Sequence, residues 1–289
     1  MIYSLGSINA DHIYRLSHLP APGETLAADT YTRMLGGKGA NQSIAAVRAG
    51  ARVVHIGAVG QDGDWMRAAL AAAGVDVDHV ATLDSAASGH AAVMVEEGGE
   101  NSIVIHPGAN RMLEAPHIEA ALINSRPGDW LMMQNETSGQ VEAAELAHTR
   151  GLRVAYSAAP LDVDAVRAVM PFVSLLILNT VEAEQLSQAL NVVDVPMRLV
   201  TKGAGGAEWV KENSDKPLFV PTFCVSAIDT TGAGDCFAGY AVAGLATGLA
   251  PVQALRRAAA AAALQVQRRG ASEAIPTAEE VDAFLSAQD

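Results

Sequence analysis

The chain has 289 residues, half of them hydrophobic, enough to bury a large core as one α/β domain or two small ones. Its 32 acidic residues against 19 basic ones, a formal charge of −13, argue against a nucleic-acid or anionic-membrane surface. An anionic substrate would therefore need local positive charge.

The opening residues, MIYSLGSINAD, lack a basic segment followed by a long apolar run, and no uncharged stretch reaches about 18 strongly apolar residues. A cytoplasmic protein without a signal peptide is expected. Residues 2–8 predict a strand ending at Asn9-Ala10-Asp11, where two polar side chains one residue apart can reach a polyol; an ordinary turn is the alternative. Residues 13–19 and 30–35 predict short strands flanking the turn-rich connector Pro20-Ala21-Pro22-Gly23-Glu24. Gly36-Gly37-Lys38-Gly39-Ala40-Asn41-Gln42 then feeds a helix to about Ala49, closed by Gly50. Glycines on both sides of one lysine bring backbone and a cation close to a ligand, and Asn41 faces the same spot from the first helical turn.

A buried strand is expected at 52–59, a helix at 64–73, a strand near 78–83 and a hairpin over 90–106 around Gly98-Gly99. With the two early strands, the hairpin predicts a small antiparallel sheet outside the main one. His106, before Pro107-Gly108-Ala109-Asn110, reads more readily as partly exposed structure than as a site residue. From 114 to 201 helices (116–124, 138–149, 162–168, 181–190) alternate with strands (129–133, 152–156, 174–178, 198–201). Such alternation predicts a parallel sheet wrapped by helices, with ligands at the carboxyl ends of its strands. Glu136, Asn179 with Glu182, and Thr201-Lys202-Gly203 with Gly205 and Gly206 all fall just past such ends. Asn and Glu at a helix start also serve as caps.

Residues 207–211 and 217–220 predict a hairpin leading to a buried strand through Val225 and Ile228, and helices at 251–269 and 277–287 close the chain. Cys224 and Cys236 form no CxxC and have no histidine at ligand spacing, so each is read as a small core residue. Between the last strand and a long apolar helix lies Asp229-Thr230-Thr231-Gly232-Ala233-Gly234-Asp235. Two glycines at a strand-to-helix junction let backbone N–H groups converge at the positive end of the helix dipole, a site for an anion. Asp235 beside it would repel a bound phosphate. It makes sense as a general base next to charge that develops during reaction, its ordinary alternative being a helix cap. No GxxxxGK[ST] is present, and Gly232, Gly234 and Gly239 do not fit GxGxxG, so neither a P-loop nor a dinucleotide site is supported.

DTTGAGD resembles the second signature of the ribokinase-like (PfkB) carbohydrate kinases, and GGKGANQSIAAVRAGARVVHIGAVGQDGDW resembles the first. Gly6–Asp11, Pro22-Gly23-Glu24-Thr25 and the Asn179-to-Glu182 NxxE agree in order, so the resemblance runs from about residue 3 to 286. It implies an α/β, three-layer ribokinase-like fold: a mostly parallel central sheet flanked by helices, plus a small β-sheet lid. It further implies one domain over 1–289, its discontinuous lid from about 12–35 and 90–107 serving in the family as a frequent homodimer interface. Carried over, Asn9, Asp11, Gly37, Lys38 and Asn41 would hold sugar hydroxyls and Glu136 the anomeric end. Asp235 would be the base, and Gly232, Ala233 and Gly234 the anion hole. Asn179 and Glu182 would organise Mg²⁺ through water, and Thr201, Gly203 and Gly206 would serve ATP. Asp229, Thr231 and Gly270 would serve a potassium ion.

The implied reaction is transfer of the γ-phosphoryl of ATP to the primary hydroxyl of a small sugar, D-ribose first. The alternatives are a nucleoside, fructose or deoxyribose kinase and, outside enzymes, a sugar-binding regulator. Two departures stand out. The crossover between the NxxE helix and the following strand is only Asn191–Pro196, short for the family. The residues flanking Gly270 in QRRGASEA depart from the usual cation-site pattern.

Overall fold

The structure, a computed structural model, describes residues 1–190, 192–212 and 216–288. Asn191 of the short crossover and the tip of the 207–220 hairpin, 213–215, lie outside the described residues. The elements in chain order are β1 (Ile2–Leu5), β2 (Asn9–Leu16), β3 (Thr30–Gly36), α1 (Lys38–Arg48), β4 (Val53–Gly60), α2 (Asp64–Ala72), β5 (Asp76–Leu83), β6 (Gly89–Glu96) and β7 (Asn101–His106). Then come α3 (Ala115–Leu122), β8 (Trp130–Gln134), α4 (Gln140–Thr149), β9 (Arg153–Ser157), α5 (Val163–Val169), β10 (Leu175–Asn179), α6 (Thr180–Ala189) and β11 (Met197–Thr201). The chain closes with β12 (Ala207–Lys211), β13 (Leu218–Val220), α7 (Ala233–Ala246), α8 (Pro251–Gln265) and α9 (Ala278–Ser286).

Nine strands form the main sheet in the order β13-β12-β11-β10-β9-β8-β1-β4-β5. All neighbours pair in parallel except β11 with β12 and β12 with β13. The strands read as apolar runs because both faces of the sheet are buried. Successive residues alternate between two cores: Ile2 and Val53 face one, Tyr3 and Val54 the other. The first core takes in α1, α2, α7, α8 and α9, and the second takes in α3, α4, α5 and α6. These are the expected layers. The chain builds outward from β1 in two directions, first through β4 and β5, later through β8 to β13. That reversal opens a crevice between the carboxyl ends of β1 and β8, the place where open α/β sheets bind ligands.

The second sheet has four strands, β3-β2-β6-β7. The sequence reading expected it to be antiparallel, but β2 and β6 run parallel. The reason is connectivity: β2 and β6 each leave the main sheet in the same direction, after β1 and β5. β2 also starts earlier than expected, at Asn9, because the chain quits the main sheet after Leu5, so the strand expected over 2–8 is cut short. Residues 6–8 instead bond across elements: Ala40 N donates to Ser7 O at 2.9 Å and Ile8 N to Asn110 Oδ1 at 2.9 Å.

Two further expectations are corrected. Val225 and Ile228 form no strand; residues 221–227 carry no regular structure, and Ile228 is 62% exposed. At the end of the segment Ile228 N and Asp229 N both donate to Val266 O, while Phe223 stacks edge-on against Phe284 of α9. Cys224 on this segment is consequently exposed, whereas Cys236 is in the core. The helix expected to 269 stops at Gln265, whose amide turns to the carbonyls of Thr231 (3.0 Å) and Ala271 (3.4 Å). The short crossover from α6 does deliver β11 parallel to β10, with Asn179 opposite Thr201.

Helix α7 lies against α1 so closely that Gly239 is the contact. A Cβ there would sit 2.5 Å from Gln42 O and 2.6 Å from the Ala45 Cβ. We expect Gly239→Ala to push the helices apart and cost about 1–3 kcal/mol, the usual range for overpacking. Urea unfolding measures it, and a change under about 0.5 kcal/mol would show that the contact yields freely.

Candidate active site

A cavity of about 470 Å³ lies between the carboxyl ends of the central strands and the inner face of the second sheet. Alternate residues of β2, β6 and β7 roof it, among them Ile13, Val93, Ile103 and Ile105. Its floor brings together Asn9, Asp11, Gly37, Lys38, Asn41 and Glu136 from the amino-terminal half with Asp229, Thr231, Gly232, Asp235 and Gly270 from the carboxyl-terminal half. A larger cavity of about 710 Å³ opens at the opposite, amino-terminal end of β1 and β4. Strand carboxyl ends and the converging loop N–H groups are at the smaller one, which is therefore the candidate site.

The residues from the amino-terminal half are fixed by close contacts with the backbone. Gly37, at φ +93°, caps the start of α1, where a Cβ would strike Ser7 O at 2.7 Å. Gly39 packs on Gly6, with a Cβ on Gly39 only 2.4 Å from the Gly6 backbone. The Ser7 hydroxyl donates to Glu136 Oε2 and accepts from Gly39 N at 3.3 Å, while Lys38 N reaches the same Glu136 oxygen at 3.4 Å. Asn9 is held by Asn110, whose Nδ2 donates to Asn9 Oδ1 at 2.8 Å. The Asn41 Nδ2 donates to Asp235 Oδ2 at 3.2 Å, and its Oδ1, buried without a partner, is free to accept from a bound hydroxyl.

Asp235 is the third residue of α7, not its cap. Gly232, left-handed at φ +73°, takes the cap position, and no side chain bonds there. The first turn of α7 therefore keeps backbone N–H groups for an anion. Asp235 is buried, and its Oδ1 accepts from Gln42 Nε2 at 3.0 Å. Ala233 and Gly234 lie in that first turn, with open space around the Gly234 Cα. Asp229 ties the loop down, accepting from Thr231 N and Gly270 N, each at 3.0 Å. Burial works against its charge, but those donors, the Thr231 hydroxyl and Arg15 outweigh it and hold the carboxyl below its ordinary value.

The electrostatics follow from burying several carboxylates around one lysine. Asp235 beside Lys38 raises the ammonium's pKa, against the desolvation that would lower it, with Glu136 and Glu182 adding to the rise. Burial, then Glu136 and Glu273, push Asp11 up from its ordinary 3.8 to about 7. Glu182 is raised by burial, although the Asn179 amide and Lys38 pull the other way.

The remaining expected residues stand outside the lining of this cavity, at the carboxyl ends of β10 and β11. Asn179 and Glu182 form a capping box at the start of α6, each accepting from the other's backbone N–H at 2.8 Å. Thr180 Oγ1 donates to Thr201 O at 3.3 Å. Gly203 opens a short turn, and Gly206, at φ +90°, approaches the Val220 carbonyl too closely for a side chain. His106 is not in the cavity; its ring packs on His90, on the other face of the second sheet. The sequence reading missed Ser7, Asn110, Gln42 and Gln134, which hold the site residues from behind. Gln42 beside Asn41 and Gln134 at a strand end were the available signals.

Three comparisons bear on this geometry. The profile of the pfkB family carbohydrate kinases matches residues 1–278. The chain is 36% identical over 300 residues to the ribokinase of Haemophilus influenzae, covering 97% of each. Among solved structures it is similar to the ribokinase of Thermotoga maritima, at a TM-score of 0.88 and 29% identity over 99% of both chains. It is also similar to the ribokinase of Arabidopsis thaliana complexed with ribose and ATP, at 0.86 and 29% over 98% of this chain and 97% of that one.

Folded Asp11 keeps its proton where the unfolded chain has lost it, so its burial costs stability as pH rises from about 4 to about 7. Asp11→Asn should melt higher than the parent at pH 8, with the gap closing towards pH 4. Thermal melts across that range decide it; a gap that does not change with pH would refute the shift.

Proposed function

The chain belongs to the pfkB family of carbohydrate kinases, phosphotransferases with an alcohol group of a sugar as acceptor, and we propose that it transfers the γ-phosphoryl of ATP to the primary hydroxyl of D-ribose. One observation carries the reading: a buried carboxylate, Asp235, sits in the first turn of a helix with no side-chain cap, on the floor of a cavity that Asn9, Asp11, Lys38 and Asn41 also line.

In this reading ribose lies between the second sheet and α1. Asn9, Asp11, Lys38 and Asn41 take its hydroxyls, the Gly37 backbone closes against it, and Glu136 faces the anomeric end. The primary hydroxyl points at Asp235. Its proton passes to the carboxylate as the oxygen bonds to the γ-phosphorus and the bond to the ADP oxygen breaks, leaving ribose 5-phosphate and ADP. The N–H groups at Gly232, Ala233 and Gly234 stabilise charge on the transferring group. Thr201, Gly203 and Gly206 border the nucleotide.

Among the described residues no three His, Cys, Asp or Glu side chains gather to hold a metal ion by themselves. A magnesium ion would be held by nucleotide phosphates and water, with Asn179 and Glu182 beside it, and would neutralise phosphate charge. The capping box occupies one Glu182 oxygen, which leaves the other for a water of that ion. Asp229, Thr231 and Gly270, tied into one loop, support a potassium site behind the anion hole. Turnover should then be faster in potassium than in a bulky organic cation, and equal rates would remove the ion from the mechanism.

We read the whole chain as one kinase unit with the second sheet as lid. Exposure of Ile103, Val104 and Ile105 on its edge strand supports a homodimer through that lid. Dependence on ATP supports a cytoplasmic place; no helix among the described residues is long and apolar enough to cross a membrane.

ATP-dependent phosphorylation of D-ribose by the purified protein, with Mg²⁺ in potassium buffer, tests the reading. Fast turnover is expected, and Asp235→Asn should lose roughly 10²–10⁴-fold while still binding ribose, the range for a general base. Near-normal turnover in that variant would acquit Asp235. No turnover on ribose by the parent, with stabilisation by ATP, would move the substrate to a nucleoside or another sugar.

A further inference from the structure

Beneath Asp235 lie two side chains that touch no substrate in the reading above. Gln42 follows Asn41 on α1, and Gln134 is the last residue of β8; both are wholly buried. Gln134 Nε2 donates to Gln42 Oε1 at 2.8 Å, and Gln42 Nε2 donates to Asp235 Oδ1 at 3.0 Å. We infer that these two amides are positioning residues, a relay that aims the Asp235 carboxylate and turns a donor towards it. The inference rests on Asp235 being the base of the proposed reaction.

The argument is directional. An amide has a donor end and an acceptor end. With its oxygen engaged by Gln134, Gln42 can offer Asp235 only N–H. Asn41 offers only N–H to the other carboxylate oxygen. A charged carboxylate accepts both, whereas a proton on Oδ1 would meet a donor instead of an acceptor, so the arrangement favours the form that can take a proton from a sugar. Were Gln42 to turn over, its oxygen would face the carboxylate and its NH₂ would face the Gln134 NH₂. Gln42 therefore cannot turn over unless Gln134 turns with it.

Plain packing does not account for the pair. A buried amide costs free energy unless both ends are bonded, and Gln134 Oε1 has no partner. A methionine would fill the same volume without stranding a polar atom. Gly6 adds to the case, because a Cβ there would lie 2.5 Å from that oxygen. The backbone leaves room for Gln134 although only its donor is used.

The test compares the parent with Gln42→Met, Gln134→Met and the double variant. Turnover, the pH–rate profile and calorimetric affinities for ribose and ADP are read for each. Gln42→Met should lose roughly ten- to a hundredfold in kcat, as for a hydrogen bond to a charged group. Affinities should stay within about twofold, and the acid limb should move to higher pH, so that raising the pH recovers part of the rate. Gln134→Met should move the limb the same way by less. The double variant should match Gln42→Met, since Gln134 acts only through Gln42.

An unmoved pH profile, affinity falling in step with kcat, or additive losses would each overturn the relay. If Gln42→Met does not fold, Gln134→Met alone decides by its pH profile. Should the parent turn over no sugar at all, the base assignment falls and the relay with it, a failure seen in the parent and not in the variants.

Discussion

The site depends on two glycine backbones in contact. Gly6 leaves β1 and Gly39 opens α1, and they lie so close that neither position can carry a side chain. That approach lets Ser7 bond both to the first turn of α1 and to Glu136 after β8. Three elements from distant parts of the sequence are thus pinned at the point where the sheet reverses its order. His55 secures the same spot from below: Nε2 donates to Gly6 O at 3.1 Å while Nδ1 accepts from the Ser43 hydroxyl at 2.8 Å. Burial keeps that ring neutral, its pKa pushed down to about 4. Gly239 then seats α7 on α1, which brings Asp235 opposite Lys38 and Asn41.

Closeness has an electrostatic cost. An acidic protein has gathered further carboxylates into a cavity beside which the proposed reaction would bring a triphosphate. Three things offset this. Lys38 sits among Asp235, Glu136 and Glu182 and stays charged because of them. Arg15 and Arg269 line the outer part of the cavity. The third is backbone: N–H groups at the start of α7 carry partial positive charge without a side chain that must be desolvated. Asp11 is the group left least compensated, and its raised value records that.

Much of this could be read from the residues in order. Between 52 and 220 strand and helix periods agree with the structure, because fully buried parallel strands and alanine-rich helices are set by local pattern. Asn9, Asp11, Gly37, Lys38, Asn41, Glu136 and Asp235, singled out by their position in the chain and by the family resemblance, fall in one cavity. The misreadings have a common cause. After Val225 the apolar run pairs with no strand, and Ile228 N donates instead to Val266 at the end of α8. The direction of β6 against β2 depended on where both strands leave the main sheet, which composition does not encode. Gln42 and Gln134 were passed over because a buried amide gains meaning only from what its two ends touch.

The second sheet is joined to the first through very short spans. Residues 6–8 lead into β2, and β3 runs to within one residue of α1. Asn9, Asp11 and Lys38 therefore stand at a fulcrum, while Leu16 ends a lever of about 23 Å, taking roughly 3.3 Å for each strand residue. A swing of about 10° would carry that far end by about 4 Å but Asp11 by only about 1 Å. In the proposed reaction the roof of the cavity would swing while Asn9, Asp11 and Lys38 barely change place. Opening and grip would then belong to opposite ends of the same strands.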